Sequence, residues 1–180
     1  RLLNVSTTIS GILYACFPFY SLILISEFYK ITEFFINNNI NLPLFFINQQ
    51  NLEEFSIFSV IIVLITIWIC DSAAFFIGKN LGKHKLFERV SPKKTWEGAI
   101  AGFITSIFSS YFLYYFFIPD FPYIHSIMLG VIIGIFGQIG DLAESLIKRD
   151  VGVKDSSNLI PGHGGALDRF DSILFVFPLV

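Results

Sequence analysis

A chain of 180 residues that is 54% apolar and 14% charged, with a mean hydropathy of +0.68, is not composed like a soluble globular protein, which averages about 45–50% apolar and about 25% charged residues. The same figures exclude intrinsic disorder, a polybasic nucleic-acid binder and a disulfide-rich secreted module. A net charge of −2 leaves any charge recognition to be local. What remains is an integral membrane protein: an all-α, polytopic bundle of transmembrane helices. Cys16 and Cys70 lie inside apolar runs and outline no disulfide framework.

In chain order, a first span is expected over residues 5–25, interrupted by Pro18. Residues 31–50 are apolar but broken by Asn37, Asn38, Asn39, Asn41 and Pro43, and read as an interfacial loop or a short amphipathic piece. Further spans are expected over 55–77, 99–118 and 124–147, and a fifth starts near Ile173. Each complete span holds about 20 residues, enough at about 1.5 Å per residue for a hydrocarbon core of about 30 Å. The chain opens at Arg1 without a Met or a signal-peptide pattern and stops inside an apolar run. It is therefore expected to be a fragment or processed chain that forms a single transmembrane domain.

Charge placement suggests orientation. Lys79, Lys83, Lys85, Arg89, Lys93 and Lys94 fall in the loop 79–97, and Lys148, Arg149, Lys154 and Arg169 in the loop 148–171. The alternate loops hold only Lys30 and no basic residue. By the positive-inside rule, the two rich loops face the cytoplasm. No internal repeat is visible.

The fourth span is unusual. At about 100° per residue, Gln138, Glu144, Ser145 and Lys148 fall within about 60° of Asp141, and Gly130, Gly134 and Gly137 share that face. An Asp at a span centre costs about 2.5–3.5 kcal/mol, so the stripe is expected to face other helices or a water-filled cavity. One reading is glycine-mediated packing capped by interfacial charges. The other makes Asp141 a site ligand at the cytoplasmic end.

The loop 148–171 carries Asp168 and Asp171 at i, i+3, on one face if a helix begins there and favoured by its dipole. Carboxylate oxygens are the preferred ligands of Mg²⁺, which keeps waters and binds substrate phosphates. Gly162, Gly164 and Gly165 admit an anion nest, and Lys148, Arg149, Lys154 and Arg169 supply countercharge. A solvated turn is the plainer alternative, and His163 by itself is a turn residue rather than a general base. In the other loop, Ser91 or Thr95 reads as a cap of the third span, or the stretch from Ser91 to Gly98 reads as a phosphate or nucleotide clamp. Trp96 suits interfacial anchoring or base stacking. Asp71, closing the second span, adds a carboxylate. Carboxylates for a divalent metal and cations for phosphates, gathered at a membrane surface, fit phosphoryl or nucleotidyl transfer onto a lipid.

The run Ser145, Lys148-Arg149, Lys154-Asp155, Pro161, His163-Gly164-Gly165, Asp168-Arg169 and Asp171 resembles the signature of the phosphatidate cytidylyltransferases (CDP-diacylglycerol synthases). The stretch from Asp71 through Gly78 and Gly82-Lys83 to Ser91-Pro92-Lys93-Lys94-Thr95-Trp96-Glu97-Gly98 is similar to that family's preceding block. The likeness covers roughly residues 55–180, and it implies that the chain is the C-terminal part of a longer membrane enzyme. It implies an enzyme of the cell (inner) membrane that converts CTP and phosphatidate to CDP-diacylglycerol and pyrophosphate. It further implies that Asp141, Asp168 and Asp171 serve Mg²⁺, with a second, monovalent cation such as K⁺ as a further expectation. Lys148, Arg149, Lys154 and Arg169 would neutralise phosphates. Asp71, Ser91, Lys93, Lys94, Thr95, Glu97, Asp155, His163, Gly164 and Gly165 would hold the nucleotide. The glycine-rich faces admit a homodimer. A polyprenol kinase using CTP and a polytopic transporter stand as alternatives. The first would move the γ-phosphoryl, and the second would need polar residues throughout a span rather than at one end.

Overall fold

The computed structural model describes residues 2–38, 52–119, 121–153, 156 and 167–180. Among them, the chain forms α1 (Leu2–Ser26), α2 (Phe28–Asn37), α3 (Leu52–Leu81), β1 (Lys85–Phe87), β2 (Ser91–Thr95), α4 (Trp96–Phe117), α5 (Tyr123–Asp150) and α6 (Leu167–Val176), closed by a 3₁₀ turn at Phe177–Leu179. Three helices are long and apolar enough to cross a membrane: Glu53–Leu81, Trp96–Phe117 and Tyr123–Asp150. At 1.5 Å per residue they run from about 33 Å to about 44 Å. These are the second, third and fourth expected spans. The first and fifth correspond among the described residues to shorter apolar helices, Cys16–Ser26 and Phe170–Leu179. The broken segment 31–50 begins as the short helix α2, and its remainder lies outside the described residues.

The α4–α5 contact shows why small residues recur here. Lipid tails are as apolar as Leu, so helices in a membrane associate by close packing and hydrogen bonds rather than by hydrophobic exclusion. On α4, Gly98, Gly102, Ser106, Ser110 and Tyr114 follow at four-residue spacing, and all are buried. Gly98 and Gly102 lie against Ala74 and Cys70 of α3, while Ser106 and Ser110 meet Ser126, Gly130 and Gly134 of α5, also buried. Ser106 Oγ donates to the Gly130 carbonyl at 2.9 Å and Ser110 Oγ to the Ser126 carbonyl at 2.7 Å. A Cβ on Gly130 would stand 2.6 Å from Ile107 Cα, so only glycine allows this crossing. Phe108, Phe112, Tyr115 and Phe116 project from α4 exposed, a face suited to lipid.

The shortest apolar helix is also the most enclosed. Ile173, Leu174, Val176 and Phe177 are at most 5% exposed, and Ile173, Val176 and Phe177 form one core cluster with Val63 and Ile67 of α3 and Ile133 of α5. The stripe on α5 thus faces other helices, as expected, with its glycines used for packing within the chain. Gly130 and Gly134 meet α4, while Gly137 meets Val176 and Ser172 of α6.

The two polar segments differ from expectation in their local structure. Residues 79–97 are not a simple loop: α3 continues to Leu81, and β1 pairs antiparallel with β2 through Lys85↔Thr95 and Phe87↔Ser91. Pro92 is tolerated because a two-stranded ribbon leaves outward backbone positions that need no N–H donor. Lys148 and Arg149 are helical too, since α5 runs to Asp150. Gly152, at φ +75°, ends that helix. Its N–H reaches the Arg149 carbonyl at 3.1 Å, and the Val153 N–H reaches the Lys148 carbonyl at 2.9 Å, a Schellman arrangement that satisfies the last carbonyls.

Candidate active site

The hairpin is fastened to the start of α4. The Thr95 hydroxyl, 5% exposed, accepts from the Gly98 N–H at 3.3 Å and caps the helix. The Glu97 carboxylate, in the first turn where the helix dipole favours it, accepts from His84 twice. The His84 backbone N–H lies 3.3 Å away and His84 Nδ1 2.6 Å away. The Trp96 N–H closes the base on the His84 carbonyl at 3.0 Å. At the hairpin's tip, Arg149 Nε of α5 donates to the Val90 carbonyl at 3.4 Å. The hairpin and the C-terminal end of α5 therefore meet at one end of the bundle.

Three helices deliver carboxylates to that end. Lys94 of β2 reaches Asp141 of α5, with Nζ 2.5 Å from Oδ2. Ser172 Oγ of α6 donates to Asp71 of α3 at 3.4 Å, while the Ser172 N–H donates to Asp171 at 2.7 Å. Asp71, Asp141 and Asp171 are within electrostatic reach of one another, and Lys94 acts on both Asp71 and Asp171. Gly140 permits the assembly: a Cβ there would stand 2.6 Å from the Asp171 carbonyl and 3.0 Å from the Phe175 ring. One turn along α5, Glu144 is 1% exposed and holds Lys148 at 3.1 Å.

Of the residues expected to bind nucleotide, Asp71 and Lys94 join this cluster, Lys93 is exposed on the hairpin and Ser91 is half-buried there. Thr95 and Glu97 are engaged in holding the hairpin to α4. Of the expected catalytic set, Asp141, Asp171, Lys148 and Arg149 are at this end. Asp168 and Arg169 stand in the first turn of α6, with their side chains outside the described residues. Lys154, Asp155, His163, Gly164 and Gly165 also lie outside the described residues.

The donor chemistry suits a hard divalent cation. Among the described residues, no three His, Cys, Asp or Glu groups are close enough together to enclose a metal ion. Mg²⁺ does not require that, since it usually takes one or two carboxylates and completes its shell with water and substrate phosphates. Carboxylate oxygens from separate helices, in excess over the lysines beside them, fit such an ion.

The model of the cytidylyltransferase family matches residues 2–180. The chain belongs to that family. Members similar to it include the phosphatidate cytidylyltransferase of Bacillus subtilis (strain 168), 43% identical over 136 residues, which are 76% of this chain and 51% of that protein. The phosphatidate cytidylyltransferase of Staphylococcus aureus (strain COL) is 47% identical over 123 residues, 67% of this chain and 46% of that protein. That of Staphylococcus haemolyticus (strain JCSC1435) is 43% identical over 121 residues, again 67% and 46%. The chain spans about half the length of these relatives. In this cytidylyltransferase-family chain two further residues stand near the site that sequence reading did not single out. His84 anchors the hairpin through Glu97. Tyr14 of α1 has a buried hydroxyl without a hydrogen-bond partner among the described residues and lies within electrostatic reach of Glu144 and Asp171. Nothing in the sequence sets Tyr14 apart from other aromatics in an apolar run, whereas a histidine thirteen residues before a motif glutamate was at least visible.

Proposed function

We propose that the protein to which this chain belongs transfers a cytidylyl group from CTP to phosphatidate, giving CDP-diacylglycerol and pyrophosphate at the cytoplasmic face of the cell membrane. The single observation that carries this reading is the meeting of Asp71, Asp141 and Asp171 with the basic hairpin at one end of a bundle of family sequence. In the reaction a phosphate oxygen of phosphatidate attacks the α-phosphorus of CTP. The bond to the bridging α–β oxygen breaks, and pyrophosphate leaves with that oxygen. No covalent enzyme intermediate is needed, so the protein's work is positioning and charge neutralisation.

In that work Ser91, Lys93 and Lys94 of the hairpin hold the triphosphate, with Asp155, His163, Gly164 and Gly165 completing the nucleotide site. Lys148, Arg149, Lys154 and Arg169 neutralise the triphosphate and the lipid phosphate. Asp141, Asp168 and Asp171 would hold Mg²⁺, supported by Asp71, with a monovalent cation such as K⁺ in second place. When bound, the divalent ion would withdraw charge from the triphosphate. The long apolar helices keep the site at the bilayer surface, where the headgroup of a membrane lipid reaches it sideways. Ten of the twelve Lys and Arg residues belong to the sequence segments 79–97 and 148–171, which supports a cytoplasmic placement of the site.

The test uses the full-length protein in membranes with phosphatidate, Mg²⁺ and CTP labelled at either the α- or the γ-phosphate. Label from the α position is expected to enter lipid and label from the γ position to leave as pyrophosphate. Lipid labelled from the γ position would instead make the protein a CTP-dependent lipid kinase.

A further inference from the structure

The Lys94–Asp141 pair joins the two halves of the proposed site, a hairpin lysine assigned to phosphate and an α5 aspartate assigned to metal. An ammonium group 2.5 Å from Asp141 Oδ2 stands where a cation bound to that oxygen would stand. The two side chains are 24% and 33% exposed, so the pair borders solvent and either member can change partner without opening the bundle. The backbone on both sides of it is fixed. Thr95 caps α4, Glu97 holds His84, and Arg149 holds the Val90 carbonyl. What is left to move is the four-carbon stem of Lys94, a flexible carrier of a point charge.

We propose that Lys94 and the divalent metal ion compete for Asp141, and that the nucleotide's phosphates relieve the competition by taking the ammonium. The inference rests on the metal and nucleotide roles proposed above and adds the coupling between them. Lys94 has a charge to neutralise in either position. On Asp141 it offsets the mutual repulsion of Asp71, Asp141 and Asp171, which Coulomb interactions among them make unfavourable. On the triphosphate it adds a cation where the leaving group develops charge. Metal without nucleotide must displace Lys94, and nucleotide without metal must draw Lys94 from a carboxylate. Each ligand therefore strengthens the other by the same factor.

The experiment measures Mn²⁺ binding to the full-length protein without nucleotide, from the free-ion electron paramagnetic resonance signal, for wild type, Lys94→Met, Asp141→Asn and the double variant. Lys94→Met is expected to bind Mn²⁺ about tenfold more tightly than wild type, within the usual span of coupling between two sites. In the Asp141→Asn background the same change is expected to do nothing, which separates competition for one carboxylate from a general loss of positive field. Acylation of the Lys94 amine, read by mass spectrometry on the wild type, gives a second measure. It should rise severalfold on adding Mg²⁺ and fall again when CTP is added with it. Unchanged Mn²⁺ affinity in Lys94→Met, a gain that persists beside Asp141→Asn, or Lys94 acylation indifferent to Mg²⁺ would each overturn the competition. Equal Mn²⁺ binding by wild type and Asp141→Asn would remove Asp141 from the metal site, a failure of the reading beneath the inference and recognisable as such.

Discussion

The two halves of α5 use one device for different ends. Over residues 126–134 the helix meets α4 through serine and glycine, and the interhelical bonds of Ser106 and Ser110 end on backbone carbonyls. Over residues 137–149 it meets α6 and the hairpin, and its side chains carry charge: Asp141 to Lys94, Glu144 to Lys148, Arg149 to Val90. A glycine lets backbones touch in both places. Gly130 admits Ile107 of α4, which closes the bundle, and Gly140 admits the Asp171 carbonyl of α6, which sets a carboxylate beside Asp141. Small residues that look alike in sequence therefore divide into those that hold the fold and those that place the site.

Paired substitutions break that comparison open. Gly140→Ala pushes on the Asp171 backbone, and a displacement of about 1 Å at a reacting centre can cost about 100-fold in rate. CDP-diacylglycerol formation by the full-length protein is expected to fall by about that factor, beside a loss of about 1–3 kcal/mol of stability through overpacking. Gly130→Ala should lose a similar amount of stability, about 1–3 kcal/mol through overpacking, but surviving molecules keep their rate. Thermal unfolding in detergent, measured beside specific activity, checks both. Equal effects of the two changes on both readouts would erase the distinction. The smallest effect concerns the hairpin. Thr95→Val removes a buried cap worth about 1 kcal/mol and should loosen the hairpin's base, seen as faster amide exchange at Gly98 and a modest rise in KM for CTP. Unchanged exchange there would show that His84 and Glu97 hold the hairpin alone.

Much of the fold was legible because membrane spans are written in composition. The apolar runs at 55–77, 99–118 and 124–147 are α3, α4 and α5 to within a turn or so at most ends. Both polar segments hid their structure. The hairpin escaped notice because Lys85 to Thr95 is charged, short and interrupted by Pro92, which reads as a turn, and it forms only because His84, Thr95 and Glu97 fasten its base. Thr95 was visible both as a cap and as a ligand, and its geometry gives the cap. The periodicity of α5 pointed to Asp141 and its glycine face, but not to its partners, since Lys94 is 47 residues away and Asp71 is 70. The apolar run near Ile173 gave no hint that α6 would be the most enclosed helix among the described residues. That follows from its being surrounded by α1, α3 and α5.

The carboxylates are the centre of this account, and Asp168 is the one among them that sequence alone assigns. Asp168→Asn in the full-length protein changes one oxygen donor to an amide at nearly constant volume. Transfer of α-labelled phosphate from CTP into lipid, with phosphatidate and Mg²⁺ present, is the direct measurement. The expected result is labelled lipid from the wild type and at least about a 100-fold loss in the variant, with membrane insertion normal in both. Full labelling by a normally inserted Asp168→Asn would contradict it.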